Sequence, residues 1–152
     1  MRRFLQLTAI LSLSAALCGL VPHSPAGAVT RTTERHEMLV RTNDSRSVFG
    51  RSRVAIDRHL SRIARDHSAW MASTGRFEHT AHPASTYLKG IDWTCWGENI
   101  AMSSGSMRDV EKAFMHSPEH RANILDACFR HVAIGVVRDG DGTAWVTVFF
   151  YG

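Results

Sequence analysis

The C-terminal end of this chain constrains its fold most. Residues 132–137 and 143–151 are two short runs rich in Val, Ile, Phe and Trp. Between them, Asp139-Gly140-Asp141-Gly142 supplies residues that tolerate positive φ. Two such runs with such a connection read as a β-hairpin. What precedes them reads mainly as helix. Helices first and strands last in one short domain point to an α+β layer fold rather than a doubly wound sheet.

The helical part divides by its spacing. Residues 34–41 read as a short helix with Met38, Leu39 and Val40 as its apolar content, after a polar segment over 29–33. Residues 43–53 are polar and read as irregular, with Val48 and Phe49 packed down. Residues 57–73 carry the clearest pattern: Leu60, Ile63, Ala64, His67 and Met71 share one helical face, and Thr74-Gly75 stops it. Residues 76–92 lack periodicity and read as a loop, and 95–102 as a short strand or turn. Ser106 is a good N-cap with Asp109 in the first turn, and Met107, Val110, Ala113 and Phe114 form the buried stripe that follows. Ser117 and Pro118 open a further helix that runs to Leu125.

The N-terminus is an address. Arg2 and Arg3 precede an apolar run over 4–21, Pro22 ends it, and Ala26-Gly27-Ala28 offers small residues to a signal peptidase. This three-part pattern is that of a secretory signal peptide over 1–28, cleaved near Ala28. The run is long enough that an uncleaved anchor is the competing reading. A lipoprotein fits less well, because Leu17 stands before Cys18 where a small residue is needed.

Cleavage changes the arithmetic. The 152-residue chain becomes 124 residues (29–152), and loss of Arg2 and Arg3 lowers the net charge from +4 to +2. Cys18 leaves with the leader, so Cys95 and Cys128 remain. In an oxidising compartment two cysteines read as one disulfide. The loop it closes is worth roughly 3–4 kcal/mol by chain entropy. The expected product is a secreted, extracellular, single-domain protein that does not span a membrane.

The strong local motifs of catalysis are absent. There is no Gly-rich phosphate loop, no His-Glu-x-x-His, no Gly-x-Ser-x-Gly and no Cys-x-x-Cys. Glu98 stands out, since it lies in an apolar stretch between Trp96-Gly97 and Asn99-Ile100-Ala101. A buried carboxylate needs partners. Residues 31–65 hold nine Arg and no Lys, which reads as a solvated face. No nucleic-acid module and no basic–aromatic stripe is present, so nucleic acid is not an expected partner.

A set of motifs in fixed order is more specific. Arg76-Phe77-Glu78-His79, Trp96-Gly97-Glu98-Asn99-Ile100-Ala101, Ser117-Pro118-Glu119-His120-Arg121-Ala122-Asn123-Ile124-Leu125, and Ile134-Gly135-Val136 with Trp145 and Phe149 follow one another. Together they resemble the CAP superfamily of cysteine-rich secretory proteins, antigen five and pathogenesis-related proteins, in its bacterial secreted branch. Asn43 with Arg46 resembles the end of that family's first helix. The resemblance covers roughly residues 34–152.

The resemblance implies a three-layer α-β-α sandwich with a small, mainly antiparallel sheet. It also implies a cleft in which His79, Glu98 and His120 match three of four family positions. The fourth, a second Glu, falls near Ser117 and is missing. Glu119 does not take its place, and Phe114 stands where the family usually has Trp. Two imidazoles and a carboxylate are a legitimate set for Zn²⁺ or another divalent metal. The main expectation is a ligand-binding or interaction module whose cleft includes Asn99 and Asn123, with a lipid, a cell-wall component or a host molecule as partner. The alternative is a metal-assisted extracellular hydrolase using the same cleft. Asn99 is expected to bond neighbouring backbone, Arg121 to pair an acid and Asn123 to hold the cleft floor. No catalytic residue is assigned.

Overall fold

A computed structural model describes residues 26–152, with side chains described from Thr33 onward. The expected signal segment therefore lies outside the described residues, apart from Ala26–Ala28. The elements in chain order are α1 (Ala26–Val48), β1 (Ala55–Ile56), α2 (Leu60–Thr74), α3 (Pro83–Tyr87), β2 (Trp96–Ser103), α4 (Met107–His116), α5 (Pro118–Leu125), β3 (His131–Arg138) and β4 (Ala144–Tyr151).

The hairpin is the centre of the molecule. β3 and β4 pair antiparallel from His131 opposite Tyr151 to Arg138 opposite Ala144. Asp139 closes the turn by accepting the Asp141 and Thr143 backbone N–H groups, and Gly142 supplies the positive φ of 81°. β2 joins the far side of β4, antiparallel, and β1 joins β3 in parallel, giving the order β1-β3-β4-β2.

Both faces of the hairpin are buried, which explains its continuous apolar runs. Val132, Ile134, Val136, Val146, Val148 and Phe150 face one way and pack with Met38, Met107, Val110, Phe114 and Ile124 of α1, α4 and α5. Ala133, Phe149 and Tyr151 face the other way, against Leu60 and Ala64 of α2 and Tyr87 of α3. The result is the three-layer α-β-α sandwich with a mainly antiparallel sheet. α2 lies very close to β3: a Cβ at Gly135 would collide with the backbone of Ala64. Ser68 seals that contact, with its hydroxyl 2.9 Å from the Thr147 hydroxyl.

Several local expectations are corrected. α1 is one long helix through Val48, where a short helix and an irregular segment over 43–53 are expected. Its buried stripe is Met38, Thr42, Asn43 and Arg46. Three of these are polar, so hydropathy does not reveal the period. Asn43 is bound both ways to the Val54 backbone, at 2.8 and 3.1 Å. Arg46 is fully buried and donates to the carbonyls of Ser52, Ile124, Asp126 and Phe129. Val48 and Phe49 are not packed down but 79% and 46% exposed. Ala113 is also exposed, leaving Met107, Val110 and Phe114 as the α4 stripe. Ser106 makes the expected cap, reciprocated by Asp109. Ser117 makes no side-chain cap bond, so Pro118 alone marks the start of α5. The segment 76–92 contains the short α3, and β1 is too short to leave a sequence signal.

Candidate functional site

β2 is an edge strand, and its alternation decides which side chains can meet. Trp96, Glu98, Ile100 and Met102 point to the α2 layer. Gly97, Asn99 and Ala101 point to the α4–α5 layer. The loop after α2 brings His79 to Glu98 from one side, and α5 brings His120 and Asn123 from the other. The candidate site therefore flanks the free edge of the sheet.

Glu98 is its anchor. The residue is 6% exposed and its carboxylate is fully engaged. Oε1 lies 2.8 Å from His79 Nδ1 and accepts the Thr80 backbone N–H at 2.9 Å. Oε2 accepts the Thr80 hydroxyl at 2.6 Å. A buried carboxylate is stable only with such a set of donors. Beside it, burial and the nearby charge of Glu98 push the Tyr87 phenol above its ordinary pKa. Tyr87 stacks on Phe149 at 4.0 Å, and Phe149 lies 6.1 Å from Trp96 in a parallel arrangement. Trp96 itself is 39% exposed.

The opposite wall is built from α5. Asn99 is fully buried and donates to the His120 carbonyl at 3.0 Å. Asn123 donates to Asn99 Oδ1 at 2.8 Å and to the Glu98 carbonyl at 3.2 Å. The outward-facing carbonyl of the edge strand is thereby capped. Gly97 makes room for this, since a Cβ there would lie 2.6 Å from Asn123 Oδ1. The His120 ring tilts against Phe114 at 4.9 Å. Burial first, and then the neighbouring charge of His79, hold the His120 imidazole below its ordinary pKa. His120 is thus held toward its neutral form.

The His79 side chain is 57% exposed. With Nδ1 committed to Glu98, Nε2 is the atom turned to solvent, and it has no hydrogen-bond partner among the described residues. The three residues brought together from the sequence therefore differ in role. Glu98 orients His79, and His79 and His120 present their rings. A common metal point for the three does not form: among the described residues no group of three His, Cys, Asp or Glu side chains is arranged to hold an ion. In this arrangement the Glu98 oxygens accept hydrogen bonds from His79 and Thr80. Among the described residues Arg121 pairs no acid; its guanidinium lies 4.6 Å over the Phe49 ring. Glu119 is exposed in the first turn of α5.

Thr80, Tyr87 and Trp96 complete the site without having been assigned a role from sequence. Thr80 had a usable signal, since it directly follows His79 and a buried Glu98 requires donors. Cys95, the residue before β2, is bonded to Cys128, with Cα atoms 6.4 Å apart.

A sandwich of this topology with this cleft defines a class. The model of the cysteine-rich secretory protein family, CAP, matches residues 39–151. The chain belongs to that family. It is 34% identical over 113 residues to YkwD of Bacillus subtilis, covering 71% of this chain and 43% of that protein. It thus spans less than half the length of that relative. Among solved structures, an extracellular SCP-domain protein from Bacillus anthracis superposes with a TM-score of 0.72 at 22% identity, over 86% of this chain and 44% of that one. An outer surface protein of Borrelia burgdorferi gives 0.70 at 15% identity, over 78% and 92%. These two likenesses concern the fold.

Proposed function

We propose that this protein is an exported binding module that holds its ligand in the cleft between His79 and His120. One observation carries the reading: the buried Glu98 carboxylate orients His79 through Nδ1, and among the described residues no hydroxyl or thiol lies within hydrogen-bond distance of His79 Nε2. His79 Nε2 has the orientation of a general base, yet nucleophilic catalysis would also need a hydroxyl or thiol beside it. Glu98 accepts three short contacts from His79 and Thr80, and Cys95 is in a disulfide. What the cleft offers instead is recognition chemistry: His79 Nε2, the His120 ring, and the exposed face of Trp96 on the same strand face as Glu98. A ligand with a hydrogen-bonding group beside a flat apolar face suits that arrangement. A sugar ring of a cell-wall polymer has both.

Export is part of the proposal. It rests on the leader pattern over 1–28, the disulfide, and the description of the Bacillus and Borrelia proteins as extracellular or outer-surface. No helix among the described residues is long and apolar enough to cross a membrane.

Co-sedimentation with purified cell-wall sacculi tests the reading, with phosphatidylglycerol vesicles as the lipid arm. The expected result is retention on sacculi, lost when His79→Ala and His120→Ala are combined, with melting unchanged. Equal retention of the double variant would remove the cleft from the account. Cleavage of sacculi that depends on either His would favour the hydrolase.

A further inference from the structure

The arginine-rich stretch over 31–65 is not a uniform solvated face. The structure sorts its members. Arg46 is buried among carbonyls, Arg41 lies 3.7 Å from Glu37, Arg62 contacts His59, and Arg65 pairs Asp66 at 2.8 Å. Arg35 and Arg58 have no such partner among the described residues. They meet instead at a small cavity of about 100 Å³, lined by Arg35, His36, Leu39, Ile56 and Arg58. The convergence follows from local geometry. Arg35 and Leu39 are four apart on α1 and share a face. Ile56 ends β1 and Arg58 follows it in the turn that opens α2, beside that face of α1.

We infer that this cavity is a binding site for a single phosphoryl group, held by Arg35, His36 and Arg58. Three observations support it. The carboxylates that neighbour the lining residues in sequence have partners of their own. Asp57 accepts the Leu60 N–H at 2.9 Å and the Tyr151 hydroxyl at 2.9 Å, Glu34 pairs Arg138 at 2.7 Å, and Glu37 lies beside Arg41. The positive charge in the cavity is therefore left for a ligand. Secondly, the floor is apolar and fixed, because Leu39 and Ile56 pack against the main core. An apolar floor lowers the local dielectric and strengthens charge-assisted bonds. Thirdly, the size suits the group. Its volume of about 100 Å³ accommodates one tetrahedral oxyanion. Two guanidinium forks match phosphate oxygens in a way that lysines do not.

The site is independent of the His79–His120 cleft. It lies at the β1 edge of the sheet and the cleft at the β2 edge, about 14 Å of sheet apart at the usual strand spacing. The phosphoryl group could be carried by a lipid headgroup or by a soluble or polymer-borne phosphate ester, and the experiment separates these sources.

Inorganic phosphate is titrated into the purified protein by calorimetry at low salt. The expected result is saturable binding at one site, weakened at least tenfold in Arg35→Gln and again in Arg58→Gln. Arg51→Gln removes an exposed arginine outside the cavity and should change affinity less than twofold. The His79→Ala, His120→Ala pair should bind phosphate normally. Glycerol 1-phosphate and phosphatidylglycerol vesicles then identify the carrier: tighter binding to either than to inorganic phosphate, lost in Arg58→Gln, supports the site. No saturable binding, or equal weakening by Arg51→Gln and Arg58→Gln, would overturn it in favour of diffuse charge. Thermal melts of the variants, expected to match the unaltered protein, exclude misfolding as the cause of lost binding.

Discussion

Glu98 and Glu111 are both buried carboxylates, yet they do opposite things. Glu98 collects a backbone N–H, a hydroxyl and an imidazole, so it stabilises its surroundings and fixes one ring of the cleft. Glu111 on α4 is 5% exposed and takes the Thr42 hydroxyl at 3.1 Å through Oε2, while Oε1 has no partner. Burial pushes its carboxyl above the ordinary range, and the nearby Ser45 and Thr42 hydroxyls only partly oppose this. The folded chain thus binds that proton more tightly than the unfolded one. By linkage, stability falls as pH rises from the ordinary carboxylate value through the raised one, and the full penalty stands above it. Glu111→Gln is therefore expected to raise Tm at neutral pH, with the two melting curves converging below about pH 4. Thermal melts across pH check this; a gain of equal size at every pH would mean that burial of the charge is not its cause. The sequence made Glu98 conspicuous because it sits among apolar residues. Glu111 carried no signal, since Glu between Val110 and Lys112 on a helix looks like an ordinary surface residue.

At the level of elements, legibility tracked how burial was achieved. β3, β4, α2, α4 and α5 were readable because apolar side chains fill their buried faces. α1 was not, because Thr42, Asn43 and Arg46 fill its buried stripe and satisfy themselves with hydrogen bonds. Its continuation to Val48 is therefore a tertiary effect that no hydropathy period can show. Arg46 also explains why the end of α5 needs no glycine: it donates to the Ile124 and Asp126 carbonyls that the helix leaves open. The contact of α2 with β3 is the tightest constraint at this scale. Gly135→Ala would push a methyl into the Ala64 backbone, which cannot yield as a side chain would. A loss of roughly 3 kcal/mol is expected in urea unfolding, as for other overpacked interiors. A change below the error of the measurement would show that α2 can shift freely.

For the molecule as a whole, the disulfide and the edge strand belong together. Cys95–Cys128 ties the residue before β2 to the segment between α5 and β3. Replacing both cysteines by Ser is expected to cost roughly 3–4 kcal/mol by loop entropy, on the order of 10 °C in Tm for a chain this size. An unchanged Tm under oxidising conditions would remove the bridge from the stability account. The disulfide was readable from the count of two cysteines once the leader is set aside. The cleft was readable only in part: the motif order named His79, Glu98 and His120. That they divide into one anchor and two presented rings depends on strand alternation and on Thr80, which spacing alone does not convey.

The proposed role of Glu98 is to hold His79 by Nδ1 so that Nε2, with the His120 ring, meets the ligand. Long-range ¹H–¹⁵N spectra of the imidazoles, recorded while soluble cell-wall fragments are added, test it most directly. The account predicts that His79 carries its proton on Nδ1 before addition, and that the Nε2 signals of His79 and the ring signals of His120 shift together on saturation. It also predicts that Glu98→Gln broadens or abolishes that shared response. Binding of the fragments with both imidazoles unmoved, or a His79 protonated on Nε2 alone, would contradict it.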